Sequence, residues 1–233
     1  MKAFPLPDAS TRRRFQGRLL RWYATHRRDL PWRRTDDPYH ILVSEIMLQQ
    51  TQVERVVPKY HEFLQRYPTL ESLAQAPPAE VTRTWYPLGY NIRPAHLQGI
   101  ARETVARYGG RLPDDAERLR AMRGIGRYTA GALLTFAYGR AAPIVDTNVR
   151  RVLGRVFLGP RRLRRLRGQK AIWALAAALV PPRRAYDYNQ ALMDFGATWC
   201  TARAPRCGRC TMKTLCASYP ADRARNGQAH GKT

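Results

Sequence analysis

Two carboxylates and four cysteines carry the chemistry open to this chain. Glu45 lies in Ile41-Leu-Val-Ser-Glu-Ile-Met-Leu-Gln-Gln-Thr-Gln-Val53. On a helix its i−4, i−3 and i+3 neighbours are Ile41, Leu42 and Leu48, so the acid shares a face with apolar side chains. Burial there would raise its pKa and favour a protonated acid near neutral pH. The same pattern also fits a surface glutamate at the edge of an apolar stripe. Asp146 lies in Ile144-Val-Asp-Thr-Asn-Val-Arg150, just before a predicted helix. As an N-cap it would be kept ionised by the helix end, and the plain capping role is compatible with a chemical one. One neutral acid and one fixed anion can together cleave a glycosidic bond.

The cysteines are Cys200, Cys207, Cys210 and Cys216, spaced C-x6-C-x2-C-x5-C. Thiols packed this closely point to a metal centre, either tetrahedral zinc or a [4Fe–4S] cluster, rather than to disulfides. Zinc ribbons usually use two short Cys pairs, and here only Cys207 and Cys210 form one. Arg203, Arg206, Arg209 and Lys213 in the same loop would make a rigid, basic platform for phosphates.

Residues 122–131 read Met-Arg-Gly-Ile-Gly-Arg-Tyr-Thr-Ala-Gly. Gly124 and Gly126 permit a sharp turn and close approach by a ligand. Ile125 would anchor the turn in the core. A helix starting right behind them offers free N–H groups and a positive dipole end to a phosphate, with Arg123 and Arg127 adding charge.

The elements that must position these groups read as helices with Pro/Gly punctuation. Helical spacing predicts segments over 15–26, 38–49, 53–67, 79–86, 93–108, 114–122, 128–138, 147–157, 170–180 and 187–195. No stretch of useful length alternates at period two, which predicts an all-α fold. Residues 221–233 are small and polar and predict a frayed tail.

The chain has 233 residues, enough for one large domain or two small ones. Lys and Arg number 41 against 17 Asp and Glu, a net charge of +24. Codon bias explains why 36 of the 41 are Arg, but not the excess itself. That excess is the footprint of a protein that binds a polyanion. The longest apolar run, 171–180, falls short of the ~20 residues of a membrane span, and no signal segment is visible. A soluble, cytoplasmic, nucleoid-associated monomer with no membrane partner is expected.

Taken in order, these motifs resemble the helix-hairpin-helix DNA glycosylases with an iron–sulfur loop, the HhH-GPD or endonuclease III superfamily. Within it the chain is most similar to the MutY-type adenine glycosylases. The resemblance runs from about residue 27 to residue 216. It rests on Leu30-Pro-Trp32, Asp37-Pro-Tyr39, Ser44-Glu-Ile-Met-Leu-Gln-Gln-Thr-Gln-Val53, Leu88-Gly-Tyr90, Gly124-Ile-Gly-Arg-Tyr-Thr-Ala-Gly131, Asp146-Thr-Asn-Val149, Asn189-Gln-Ala-Leu-Met-Asp194 and the cysteine loop. It implies a two-lobed fold. One lobe is a six-helix barrel over 31–139. The other combines 1–30 with 140–220 and holds a [4Fe–4S] cluster on the four cysteines.

The resemblance also implies a mechanism on double-stranded DNA carrying a mismatched or damaged base, which is flipped into a pocket. Glu45 matches the family's acid, which protonates adenine and later handles water. Asp146 matches the aspartate that stabilises the oxocarbenium-like sugar or attacks it transiently. Tyr128 and Asn148 match residues that support this pair. Gln49 and Tyr90 match residues inserted into the base stack, and Gln50, Thr51, Arg123, Gly124, Gly126, Arg127 and Thr129 fall among the DNA-contacting positions. Bifunctional relatives carry a lysine where Tyr128 stands. A phenol cannot form their Schiff base, so a monofunctional enzyme with little lyase activity is expected.

The pattern departs from the family at four places. Only 17 residues follow Cys216, too few for the domain with which long MutY proteins inspect 8-oxoguanine. The family's Gly-Leu-Gly-Tyr-Tyr is Pro87-Leu-Gly-Tyr-Asn91 here, and Arg123 replaces a usual proline. A basic run fills 161–167, either a solvated face or further phosphate contacts. The expected target is therefore adenine opposite G or 8-oxoguanine. Excision of T or U from mismatches with G, as in the small archaeal-type thymine glycosylases, is the alternative. A non-catalytic iron–sulfur DNA-binding protein is the rival from another class.

Overall fold

The computed structural model describes residues 6–90, 92–160 and 170–219. The basic run over 161–167, Asn91 and the tail from 221 lie outside them. All regular structure among the described residues is helical. No helix among them is long and apolar enough to cross a membrane. The chain divides into two compact units. One is Asp29–Arg140, and the other is formed by the segments on either side of it, Met1–Arg28 and Ala141–Thr233.

The contiguous unit is built around α2 (Pro38–Met47). Asp37 caps its N-terminus, accepting from Tyr39 N at 2.7 Å, and Pro38 takes the first helical position, where no N–H is needed. Every residue from Ile41 to Met47 is buried, polar Ser44 and Glu45 included, so α2 is a core helix and not an amphipathic surface one. Around it stand α3 (Val53–Arg66), α4 (Leu70–Gln75), α5 (Pro78–Trp85), α6 (Ile92–Tyr108), α7 (Ala116–Ala121) and α8 (Arg127–Phe136). Helix α2 packs on α3, α6 and α8, while α4 and α5 pack on α6. The sequence pattern missed α4, a six-residue helix started by a reciprocal Thr69–Ser72 capping box. Buried Gln98 of α6 holds its end, donating to the carbonyls of Leu73 at 3.0 Å and Ala76 at 2.7 Å.

The second unit opens with α1 (Ala9–His26), which starts earlier than the apolar periodicity predicts. The reason is Asp8, whose carboxylate accepts from Thr11 N at 2.9 Å. Phe15, Leu19, Trp22 and Tyr23 form its buried stripe, against α11 (Ala185–Asp194). Together with α9 (Thr147–Leu153) and α10 (Lys170–Leu179) they enclose one apolar core, with Trp22 edge-on to Phe195 at 5.0 Å. Each fully buried side chain of this size is worth about 1.5–3 kcal/mol. Asp194, fully buried, accepts from Arg28 Nε at 2.7 Å and Arg28 N at 3.1 Å, pinning the end of this segment to α11. Helices α9 and α11 each widen into a π-helical turn, Gly154–Leu158 and Phe195–Trp199, before the predicted helices would have ended. The second delivers the chain to the cysteine loop.

Candidate functional site

Glu45, residues 49–51, Tyr90 and the 123–129 hairpin belong to the contiguous unit. Asp146, Asn148 and the four cysteines belong to the other.

Glu45 sits in the last turns of α2 and is 3% exposed. Beyond α2 the chain makes an exposed turn in which Gln50 has φ +56°. Tyr90 has φ +50° and is 59% exposed. Side chains seldom occupy this left-handed region, and each such residue costs of order 1–3 kcal/mol unless its surroundings hold it there. What holds both is Arg93, the first buried residue of α6 and one the sequence reading missed. Its Nη1 donates to the carbonyls of Ile46 (3.2 Å), Met47 (2.8 Å) and Gln49 (2.6 Å) and to Thr51 Oγ1 (3.1 Å). Its Nη2 donates to the carbonyls of Leu88 (2.9 Å) and Gly89 (3.0 Å). Burial draws the Arg93 pKa below the ordinary arginine value. The available signal was positional: Arg93 occupies the apolar stripe completed by Leu97, Ile100 and Ala101.

In the hairpin, Asp115 caps α7, and Met122 and Ile125 are buried under the turn. The two glycines do different things. Gly124 has φ +103°, and a Cβ there would stand 3.0 Å from the Cβ of His96. Gly126 has φ −83° and open space where a Cβ would be, so neither backbone nor packing requires it. As N-cap of α8 it has no side chain to make a cap hydrogen bond. Arg123 and Arg127 are exposed beside it, and Tyr128 is half-buried. Thr129, counted above with the DNA contacts, is 2% exposed. That burial leaves little of the Thr129 side chain for a direct DNA contact.

Asp146 is the N-cap of α9, accepting from Val149 N at 2.6 Å. Its other oxygen accepts from Asn148 Nδ2 at 2.9 Å. Asn148 Oδ1 accepts from Arg151 Nη2 at 2.7 Å, and Arg151 also donates to the carbonyls of Gly196 (2.6 Å) and Cys200 (2.7 Å). One hydrogen-bonded chain thus runs from the aspartate to the first cysteine. The π turn comes close enough to α9 that a Cβ on Gly196 would lie 2.7 Å from the Cβ of Asn148.

All four cysteines are half-buried. Cys210 Sγ accepts from Met212 N at 3.4 Å, and Arg155 Nη1 lies 3.5 Å from Cys200 Sγ. Burial, and then the neighbouring cysteines, push the Cys210 and Cys216 thiols up to about 11. The donor set is four half-buried cysteines between positions 200 and 216, which suits the thiolate ligands of a [4Fe–4S] cluster, one per iron, or of tetrahedral zinc. Arg203, Arg206, Arg209 and Lys213 are exposed around the loop, with Arg206 stacked 5.4 Å from the Trp199 ring.

Residues 43–177 match the HhH-GPD superfamily of base excision DNA repair proteins. The chain is 45% identical to the adenine DNA glycosylase of Homo sapiens over 212 residues, 87% of this chain and 39% of that protein. It therefore spans about two fifths of that relative's length. It is 37% identical to the thymine/uracil-DNA glycosylase of Methanothermobacter thermautotrophicus, covering 92% of this chain and 98% of that one. A solved thermostable thymine-DNA glycosylase superposes with a TM-score of 0.86 at 37% identity, over 92% of this chain and 100% of that chain.

Proposed function

Since this chain belongs to the HhH-GPD superfamily of base excision DNA repair proteins, we propose that it is a monofunctional DNA N-glycosylase. It acts as a cytoplasmic, nucleoid-associated monomer on double-stranded DNA, removes adenine opposite G or 8-oxoguanine, and leaves an abasic site. The observation that carries this reading is the contrast between its two carboxyl groups. Glu45 is enclosed by the apolar side chains of a core helix, away from bulk water, the placement of a proton donor to a flipped base. Asp146 is half-buried at a helix N-terminus, with one hydrogen bond holding each of its oxygens in place.

In the proposed reaction the target base leaves the stack and Glu45 protonates it. The glycosidic electron pair departs with the base, and Asp146 stabilises the cationic sugar until water adds at the anomeric carbon and passes its proton to the Glu45 carboxylate, restoring the acid. Asn148 orients Asp146. Gly126 and the first turn of α8, with Arg123 and Arg127, take a backbone phosphate. Tyr128 offers no amine for a Schiff base, so strand cleavage is not part of the cycle. A [4Fe–4S] cluster on Cys200, Cys207, Cys210 and Cys216 would fix the shape of the basic loop, presenting its cations to the duplex.

Adenine is favoured by the 45% identity to an adenine glycosylase and by Gln49-Gln-Thr-Gln52. The thymine/uracil reading keeps a place because that relative is matched over 98% of its length. A single-turnover assay on A:8-oxoguanine, A:G, T:G and U:G duplexes, with alkali to reveal abasic sites, separates them. Cleavage at the A pairs supports the proposal. Cleavage only at T:G and U:G transfers it to pyrimidines, and inertness on all four, with tight DNA binding retained, favours a binding protein. About four irons per chain would support the cluster, and colourless zinc would exclude it.

A further inference from the structure

Arg93 is 4% exposed and meets no carboxylate among the described residues. Its six acceptors fall into three sets. Ile46 and Met47 offer the end carbonyls of α2, Gln49 and Thr51 belong to the turn beyond it, and Leu88 and Gly89 belong to the turn before α6. The guanidinium also stacks 5.3 Å from the rings of both Trp85 and Tyr90. Capping a helix C-terminus needs only a cation. Spanning two separate turns needs a planar fork, which arginine has and lysine lacks.

What the fork joins is informative. Each turn carries one non-glycine residue at positive φ, Gln50 in one and Tyr90 in the other. Each tip is exposed, and the second carries apolar surface on Tyr90 and Ile92, at 59% and 58% exposure. Exposed apolar tips on strained turns contribute nothing to the core, yet the core spends a buried cation on holding them. Arg55 adds a tie, donating to the Pro87 carbonyl at 2.8 Å, and Trp85 Nε1 donates to the Gly89 carbonyl at 3.2 Å. A rigid pair of tips, one polar and one aromatic, is suited to entering an opened base step, where apolar side chains unstack and amides satisfy the orphaned base.

We propose that Arg93 is a positioning residue that locks the 49–51 and 88–90 turns into one two-pronged wedge for the DNA base stack. This rests on the glycosylase reading above. Prongs set at a fixed spacing can push the target base out in a single step. Independent prongs would bind the duplex without doing so.

The test uses the full-length protein and duplexes carrying 2-aminopurine beside the target base, whose fluorescence rises when the stack opens. Arg93→Lys keeps the charge and the helix cap but loses the fork. The expected result is a base-opening signal reduced at least tenfold and a single-turnover rate reduced 10- to 100-fold, with affinity for undamaged duplex within threefold of wild type. A purely structural or charge role predicts that Arg93→Lys restores both signals, and that result would overturn the proposal. Should Arg93→Lys fold poorly, Thr51→Val removes the half-buried hydroxyl that accepts from Arg93 at 3.1 Å and itself donates to the Gln49 carbonyl at 3.3 Å within the same turn. It should lower base opening two- to fivefold, and an unchanged signal would count against the wedge. Wild-type protein that neither opens nor excises any of the duplexes would remove the glycosylase reading and this inference together. Wild type that excises normally beside an equally active Arg93→Lys removes only the latter.

Discussion

Replacing Gly196 by alanine sets two effects of opposite sign against each other. An alanine in a helical turn ordinarily gains about 0.5–1 kcal/mol over glycine, because the unfolded chain loses freedom. Here the new Cβ would lie 2.7 Å from Asn148 Cβ and 3.1 Å from Asn148 C and O. Carbon atoms pack no closer than about 3.5 Å, so the turn must retreat by most of an ångström. None of the three opposing atoms is the end of a flexible side chain, so rotation cannot relieve the contact. Overpacking of this kind costs about 1–3 kcal/mol. The clash wins, leaving a net loss of roughly 1–2 kcal/mol, or about 2–8 °C in Tm for a chain of this size. The movement falls on Asn148, which holds Asp146 through a 2.9 Å hydrogen bond. Misplacing a reacting group by about 1 Å can cost 10²-fold in rate. Single-turnover excision by Gly196→Ala should fall roughly 10- to 100-fold while duplex affinity stays within twofold. A variant more stable than wild type, or equally fast, would show that this contact does not set the position of Asp146.

Asp146→Asn should lose excision by roughly 10²- to 10³-fold or more, with Tm lowered by no more than about 2–4 °C, since asparagine still caps Val149 N and gives up only the hydrogen bond from Asn148 Nδ2; wild-type turnover would remove Asp146 from the chemistry. The hairpin glycines should respond differently. Gly124→Ala, at φ +103° and against His96, should lower Tm, whereas Gly126→Ala should fold normally and weaken duplex binding by crowding the phosphate. Equal effects of the two on Tm would contradict the roles given to them. Asp194→Ala leaves Arg28 without its buried partner. Breaking such a pair costs about 3–5 kcal/mol, and with the Arg28 side chain 31% exposed and able to turn to water, the lower figure applies. Thermal unfolding should move down by roughly 6–12 °C, and a shift under 2 °C would mean the pair is dispensable.

The helices were legible in the sequence wherever an apolar stripe ran for two turns or more, and so was the capping position of Asp146. Helix α4 was not, since six residues are too few to show a period and its capping box is a local signal. The π turns after α9 and α11 were invisible because apolar spacing does not register one extra residue per turn. The burial of α2 on every side exceeded what a stripe argument gives, because a stripe locates one face and says nothing about how many neighbours close round the others. Arg93 escaped for a chemical reason. Arginine reads as surface, and its acceptors here are carbonyls, which every residue has and no sequence pattern marks.

The second unit is assembled from both sides of the first, and this sets a timetable for synthesis. Arg28 must wait for Asp194, 166 residues further on. At roughly 5–20 residues per second a ribosome needs about 8–33 s to make that stretch. Until the segment beyond Ala141 is made, Phe15, Leu19 and Trp22 lack the long-range partners of their core, whereas Asp29–Arg140 is made in one piece and can fold as it emerges. The early α1 segment thus carries an apolar stripe whose burial is completed only late in synthesis. Changes that slow the closing of this unit should appear first as lower yield in the cell, before any effect on the finished protein can be measured.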